Sequence, residues 1–432
     1  MTTLTSPARP VAVVGGVRLP FARSHGAYAG LGNRDLLAAV LGALVQRYHL
    51  AGEEIGEVAA GAVLKHARDW NLAREATLAS GLAPQTPAYD VQRACGTSLT
   101  AALQVARRIG NGEIACGIAA GADTMSDLPL SYAPRLAQAA LASRRGRTLG
   151  TRVRPWLGLR PRDFRPQLPG VAEARTGLSM GEHCERMAQE WSIARADQDA
   201  VALASHRRAA QAWRDGFFAP LVVPHAGLQA DDNVRADASA ERLAQLPTVF
   251  DRGPRGTLTA GNSTPLTDGA SAVLLASEAW ARSRGMPVMA WLTHGAEAAV
   301  DYVGESGRAE GLLMAPVYAV AAMLDAAQVS LQDFDVYEIH EAFAAQVLCT
   351  LAAWRSAAYC RERLGRATPL GEIAQERMNP HGGSIALGHP FAATGTRLVA
   401  TLAHDLATRG LRRGLISICT AGGMGVVAML ER

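Results

Sequence analysis

Short apolar runs alternate with amphipathic stretches along most of the chain, and this alternation limits the fold more than any other feature. PVAVVGG reads as a strand, RDLLAAVLGALVQRY as a helix, EVAAGAVL as a strand, DWNLAREATLASG as a helix and AYDVQ as a strand. Strands interleaved with covering helices predict an α/β protein with a mostly parallel sheet. From about residue 270 the rhythm returns in GASAVLLAS, MAWLTHGAE, YAVAAMLDAAQV and DFDVYEIHEAF, and it ends in a helix over 393–408 and the strands LISIC and GVVAMLE. Each half has a glycine-bearing turn that opens a helix and is followed by a buried strand, IACGIAAGAD in one and LISICTAGGMG in the other. That weak internal similarity favours duplicated halves over two unrelated domains. The length agrees, because 432 residues exceed the roughly 250–300 at which a single core stops growing.

Bulk properties narrow the class. Hydrophobic residues at 49%, charged residues at 19%, 43 glycines and 21 prolines describe a soluble, loop-punctuated enzyme. The net charge of +4 is modest and gives no reason to expect nucleic acid as a partner. Six scattered cysteines without a CxxC pair suggest neither a disulfide framework nor a zinc module, so no metal is expected and a reducing, cytoplasmic setting fits. The first 34 residues carry arginines and no acid, as a transit peptide does, yet VAVVGGVRLPF already reads as an opening strand and turn. No apolar run approaches the roughly 18–20 residues that span a bilayer.

Residues 125–180 break the rhythm. Nine arginines stand between Arg135 and Arg165 against one acid, Asp163, with prolines and Trp156 interspersed. We read an inserted surface subdomain. Lys65 is the only lysine, so arginine is the default cation of this chain, and a solvated basic face is the ordinary reading. As a binding surface, the segment would suit a cofactor phosphate, an acidic lipid surface or a partner subunit.

Chemistry concentrates at four places. In VQRACGTSLTAAL, Cys95 stands where an extended stretch meets a helix, beside the positive end of the helix dipole, a position that favours thiolate. His389, in the glycine-flanked turn of GGSIALGHPFAATGTR, is a candidate base for it. His340 follows a hydrophobic strand in YEIHEAF, and strand ends deliver residues to the crevice of an open α/β sheet. Cys419 ends the buried strand of ISICTAGGMG, and the glycines after it expose backbone amides. Two cysteines, two histidines and an amide-rich loop make a constellation for carbon–carbon acyl chemistry. The rival is Gly177-Leu178-Ser179-Met180-Gly181, which matches the serine-hydrolase elbow, but the segment before it is proline-broken and charged where that elbow needs a strand. VAVVGGVRLP lacks the spacing of a dinucleotide-binding turn.

With AGNSTPLTDGA (260–270), HEAFA (340–344), GHPFAATGTR (388–397) and CTAGGMG (419–425) following the Cys95 box in order, the whole chain resembles the thiolases, acyl-CoA C-acyltransferases. Within them it looks most like the fatty-oxidation branch related to β-subunits of trifunctional complexes. The resemblance implies a thiolase fold: two βαβαβαββ-type halves in five layers, α-β-α-β-α, with an inserted loop domain. It divides the chain into 1–124 with 251–275, the insertion and return at 125–250, and 276–432. It implies thiolytic cleavage of 3-oxoacyl-CoA in fatty acid β-oxidation. The alternatives are acetyl-CoA C-acetyltransferase activity making acetoacetyl-CoA, or a non-catalytic lipid carrier or complex subunit.

The same resemblance assigns roles. Cys95 carries the acyl group, His389 takes its proton, and Cys419 is the acid/base at the α-carbon of the acetyl-CoA fragment. One oxyanion site comes from His389 and a water, the other from the amides of Cys95 and Ala421. Thr264 lies near the pantetheine arm, Met180 and Phe343 wall its tunnel, and Gly422 joins Ala421 on the substrate side. His340 replaces a common asparagine that orients the catalytic water, which makes its charge state a variable. Ala421 replaces a common glycine, and His381 stands where asparagine is usual, with no role beyond its turn. No cofactor is held permanently; coenzyme A and acetyl-CoA are substrates. A homodimer or homotetramer is implied, with association to a β-oxidation partner subunit or membrane surface through the arginine-rich insertion.

Overall fold

The computed structural model describes residues 2–170 and 172–432. The first half contains β1 (Thr2–Leu4), β2 (Val11–Arg18), β3 (Ala22–Arg23), α1 (Asn33–Arg47), β4 (Val58–Gly61), α2 (Leu72–Ala79), β5 (Ala88–Asp90), α3 (Thr97–Gly110) and β6 (Cys116–Asp123). Helices α4 (Pro134–Arg145), α5 (Leu149–Val153), α6 (Met180–Glu190), α7 (Arg195–Arg214) and α8 (Ala240–Ala244) separate β6 from β7 (Thr267–Ala276). After α9 (Glu278–Ser283) come β8 (Ala290–Ala299), α10 (Ala315–Ala327), β9 (Val336–Ile339), α11 (Ala344–Arg355) and α12 (Ala357–Leu364). The chain then runs through α13 (Ser384–Leu387), α14 (Thr394–Arg409), β10 (Arg413–Thr420) and β11 (Met424–Glu431).

The strands lie in the order β5-β4-β6-β7-β2-β8-β11-β10-β9, with β1 on β8 and β3 on β7. A short antiparallel ladder, Val11 to Val13 against Leu292 to Ala290, joins the two halves. The expectation of a mostly parallel sheet is corrected. Among the described residues only β4 with β5, β4 with β6 and β9 with β10 run parallel; the other ladders are antiparallel. The physical reason is the closing strand of each half. In the second half β10 returns as β11 through a tight turn, which can only be antiparallel, and in the first the long excursion through α4–α8 brings β7 back antiparallel to β6.

Alternation along the strands sorts side chains into three cores. On β7, Val273 and Leu275 face the central layer of α3 and α14, while Ala272 and Leu274 face α1. On β11, Val426 and Ala428 face the centre, while Val427 and Met429 pack with Val317, Val320 and Leu324 of α10. This period-two division gives five layers, helices outside each half of the sheet and α3 with α14 between them. The two central helices meet at their beginnings. Gly395 lies so close to α3 that a Cβ there would stand 2.1 Å from the Leu99 amide nitrogen, and the Thr396 N–H donates to Ser98 Oγ at 2.9 Å. Two helix N-termini, each carrying roughly half a positive charge, thus converge on one region of the molecule.

Candidate active site

Cys95 occupies the turn between β5 and α3. Ala94 before it has φ 43, in the left-handed region that a residue with a Cβ seldom adopts, and Gly96 is the N-cap of α3. Thr97 holds the turn: its Oγ1 accepts from the Arg93 N–H at 2.8 Å and its hydroxyl donates to the Ala94 carbonyl at 2.7 Å. His389 comes from the opposite half, ahead of α14. Gly388 has φ +103, so only glycine turns the chain there without strain, and the His389 N–H then donates to Thr267 Oγ1 at 2.7 Å. His340 follows β9, where its N–H donates to the Ser417 carbonyl of β10 at 2.8 Å. The Cys95 sulfur and a ring nitrogen from each histidine all lie within 4.8 Å of one another, with the two imidazole centroids 4.1 Å apart.

The electrostatics amend the expectation of a resting thiolate. Burial pushes the Cys95 thiol up to about 12, buried Asp123 adds to the rise, and the amides of Ala421 and of Cys95 itself oppose it. Cys95 keeps partial exposure, yet protein packs closely enough around the sulfur for desolvation to outweigh the helix terminus. Burial and the Arg397 guanidinium lower His389 to about 3. Burial, His389 and Arg397 together hold His340 well below the ordinary imidazole range. The charge on His340 is therefore not a variable near neutral pH. Thiol and both imidazoles rest neutral. A thiol and two imidazoles this close resemble a soft-cation site, but the helix N-termini and Arg397 bring positive charge to the same space, which suits an anion.

Each remaining expected residue can be placed. Cys419, buried at the end of β10, is near enough to Cys95 that the Cys95 sulfur opposes its ionisation; burial is the larger cause that lifts its thiol well above the ordinary value. The Ala421 backbone favours charge on the Cys95 sulfur, against the larger effect of burial. Gly422 does not offer its amide to a ligand. Its N–H donates to Glu173 Oε1 at 2.7 Å, so a side chain from the insertion already holds it. Thr264 lines a cleft of about 940 Å³ with Ser263, Phe250 and Leu243. Phe343 meets Phe250 edge-on at 5.8 Å, while Met180 begins α6 and packs beside the same core. A somewhat larger cavity, about 1030 Å³, lies at the far end of α3 around Arg9, Ile109 and Trp291 and contains none of these residues.

Two further readings resolve. Ser179 caps α6: its hydroxyl donates to Glu182 Oε2 at 2.7 Å and accepts from the Glu182 N–H at 3.3 Å, which occupies it as a cap rather than as a hydrolase nucleophile. His381 stacks on Phe217 with centroids 3.5 Å apart and pairs with Asp405 at 2.7 Å, tying its turn to α14. That supplies the structural role the turn alone did not suggest.

Sequence reasoning missed several residues. Asp123 is buried and accepts from the Val63, Leu64 and Ala392 amides, joining the loop after β4 to the segment after His389. Burial raises its carboxyl to about 7. Arg397 and Ser384 stand behind His340, and Arg23, Arg235 and Arg242 rim the cleft, the last paired with Asp237. A signal for Arg397 existed in GTR immediately after the His389 turn; the rim arginines had none in a chain so rich in arginine.

Comparison with known proteins agrees with this geometry. Residues 11–279 match the family model for the thiolase N-terminal domain and residues 294–432 that for the thiolase C-terminal domain. The 3-ketoacyl-CoA thiolases of Yersinia enterocolitica serotype O:8 / biotype 1B and of Yersinia pestis strain Pestoides F are each 40% identical over 427 residues, covering 98% of this chain and 96% of theirs. The crystal structure of the acetyl-CoA acetyltransferase of Bacillus anthracis superposes with a TM-score of 0.81 at 29% identity, covering 98% of both chains. With two thiolase models spanning both halves and a cysteine and two histidines meeting between them, the chain belongs to the thiolase family.

Proposed function

We propose that the protein is a 3-ketoacyl-CoA thiolase that cleaves 3-oxoacyl-CoA with coenzyme A, giving acetyl-CoA and a shortened acyl-CoA. The observation that carries this reading is the convergence of Cys95, His340 and His389 within 4.8 Å. His389 accepts the thiol proton as the Cys95 sulfur attacks the 3-oxo carbon. The bond between C2 and C3 breaks, its electron pair passes to the acetyl-CoA fragment as an enolate, and Cys419 protonates C2. The Cys419 thiolate then takes the thiol proton of coenzyme A as it attacks the acyl-Cys95 thioester, and protonated His389 returns its proton to the Cys95 sulfur as acyl-CoA leaves, which restores both thiols and the neutral imidazole. The Cys95 and Ala421 amides serve the oxyanion of the thioester step, while His389 and His340 serve the other oxygen. The cleft fits the coenzyme: Thr264 and Phe250 suit the pantetheine arm, and Arg23 and Arg235 at its rim suit phosphate.

In the wider assignment, residues 125–250 act as a loop domain that closes the site, supported by Glu173 on the Gly422 amide and Phe250 in the cleft. The insertion also exposes Leu149, Leu157 and Leu168 among its arginines. Apolar side chains rising from a basic surface suit docking to an anionic membrane surface. Strand β5 ends the sheet, and its open edge suits a second copy of the chain in a homo-oligomer. Six free cysteines suit the cytoplasm, and among the described residues no helix is long and apolar enough to cross a membrane.

The test is direct. Cys95→Ser should lower thiolysis by roughly 10³-fold or more. A variant within tenfold of the unsubstituted rate ends the proposal. Cys419→Ala should still accept an acyl group on Cys95 while losing exchange of the acetyl-CoA α-proton, and retained exchange removes its role. Rates on 3-oxoacyl-CoAs from short to long fix the chain-length preference.

A further inference from the structure

We propose that Arg397 and Ser384 are positioning residues that lock His340 as the tautomer protonated on Nε2, making this ring a permanent hydrogen-bond donor in the site. The inference rests on the oxyanion role given to His340 above, and hydrogen accounting around one buried hydroxyl carries it. Ser384 is fully buried, and its Oγ has two partners, Arg397 Nη2 at 2.6 Å and His340 Nδ1 at 2.8 Å. A guanidinium only donates, so Arg397 occupies a lone pair of Oγ. Were His340 protonated on Nδ1, Oγ would accept twice and its own proton would find no acceptor among the described residues. An unmet buried donor is the costlier arrangement. The Ser384 hydroxyl therefore donates to Nδ1, and the ring proton sits on Nε2. That nitrogen is buried without a partner among the described residues, as an atom reserved for substrate or water would be.

His389 is held differently. Its Nδ1 meets the Thr394 hydroxyl at 2.5 Å, and among the described residues no second side chain donates to that oxygen. Thr394 carries no guanidinium on its oxygen, so His389 lacks the second contact that fixes the Ser384 hydroxyl against His340. The proposed mechanism thus gives His389 the task of taking and returning a proton and leaves His340 as the fixed donor. The ionisable groups facing His340 are Cys95, His389 and Arg397; Glu338, on the strand before it, stands 3.9 Å from Arg397. Arg397 so placed also opposes protonation of the ring, which keeps Nδ1 available as an acceptor.

A double-mutant cycle tests the lock. Ser384→Ala should lower kcat for thiolysis roughly 10- to 100-fold with little change in KM, as loss of a partner that orients a ligand-facing imidazole does. Ser384→Thr, which keeps the hydroxyl, should restore the rate. In a His340→Asn background an amide donates with no tautomer to choose, so Ser384→Ala should cost less than about twofold there. An equal loss in both backgrounds marks a merely structural serine and overturns the proposal. His340→Ala at the unsubstituted rate instead removes the oxyanion role itself, and the lock with it. If Ser384→Ala fails to fold, nitrogen-15 spectra of histidine-labelled unsubstituted protein decide, with the His340 resonances identified by their loss in His340→Asn. A protonated Nε2 and bare Nδ1 support the lock, and the reverse pattern refutes it.

Discussion

Gly395→Ala sets two physical effects of opposite sign against each other. Within α14 the substitution should stabilise the helix by about 0.5–1 kcal/mol, because alanine loses less backbone freedom than glycine. Against that, the new Cβ would stand 2.1 Å from the Leu99 nitrogen, 2.7 Å from its Cβ and 2.8 Å from its Cα. An ordinary contact needs about 3.5 Å, and the first obstacle is helix backbone rather than a flexible side chain, so α14 and α3 must part by roughly 1 Å. Overpacking of this kind costs about 1–3 kcal/mol or more, which exceeds the propensity gain and sets the sign as destabilising. Calorimetry should show a thermal midpoint lowered by several degrees. Function should fall further. The two helices carry Cys95 and His389 at their beginnings, and a misplacement of about 1 Å between reacting groups can cost on the order of 10²-fold in rate. Rapid-mixing measurement of acyl-Cys95 formation reads that loss directly. A variant with an unchanged midpoint and an acylation rate within twofold would show that the helices yield at this contact, and would refute the claim that their close approach sets the catalytic distance.

Because burial holds the Cys95 thiol near 12, alkylation of the free enzyme should rise about tenfold per pH unit between about pH 7 and pH 9. A plateau in that window, read by mass spectrometry of iodoacetamide-labelled protein, would restore the resting thiolate. Replacing Arg23 and Arg235 together with alanine should raise KM for coenzyme A roughly tenfold and leave kcat within about twofold, since a phosphate contact is uniform binding. An unchanged KM would move the coenzyme out of the cleft. Reversing the charge of four exposed arginines in 144–152 should abolish co-sedimentation with anionic vesicles without affecting thiolysis in solution, and unchanged sedimentation would leave this face as ordinary solvated surface.

The parts of the molecule that were legible are those the backbone encodes locally. Cys95 could be placed because Gly96 and the small residues after it mark a helix start, and His389 because Gly388 and Pro390 mark a turn. The central helix and the closing strand pair followed from periodicity, to within a residue or two for α14. Strand direction was not legible. The period-two pattern of β7 is the same whether it runs with β6 or against it, and only the path through α4–α8 decides. The amide of Gly422 illustrates the same limit: its loop looks free in sequence, yet Glu173, 249 residues away, holds it. Arg397, Ser384 and Glu338 lie on three separate elements; GTR after the His389 turn hinted at the first, and nothing local marks Ser384 as a partner of His340.

The neutral resting thiol follows from the same distinction and has a mechanistic consequence. A helix N-terminus is readable from a few residues, whereas desolvation depends on everything that folds around the sulfur, and here the second effect is larger. Were Cys95 ionised at rest, the Ala421 and Cys95 amides would stabilise the thiolate before any substrate reacted, and that stabilisation would deepen the ground state as much as it lowers the barrier. A neutral sulfur leaves the amides free of resting charge. Their full interaction then develops only as negative charge moves onto the substrate oxygen, while the proton passes to a His389 ring that burial has kept unprotonated. Burial that weakens the nucleophile in isolation therefore reserves the donors of the site for the transition state.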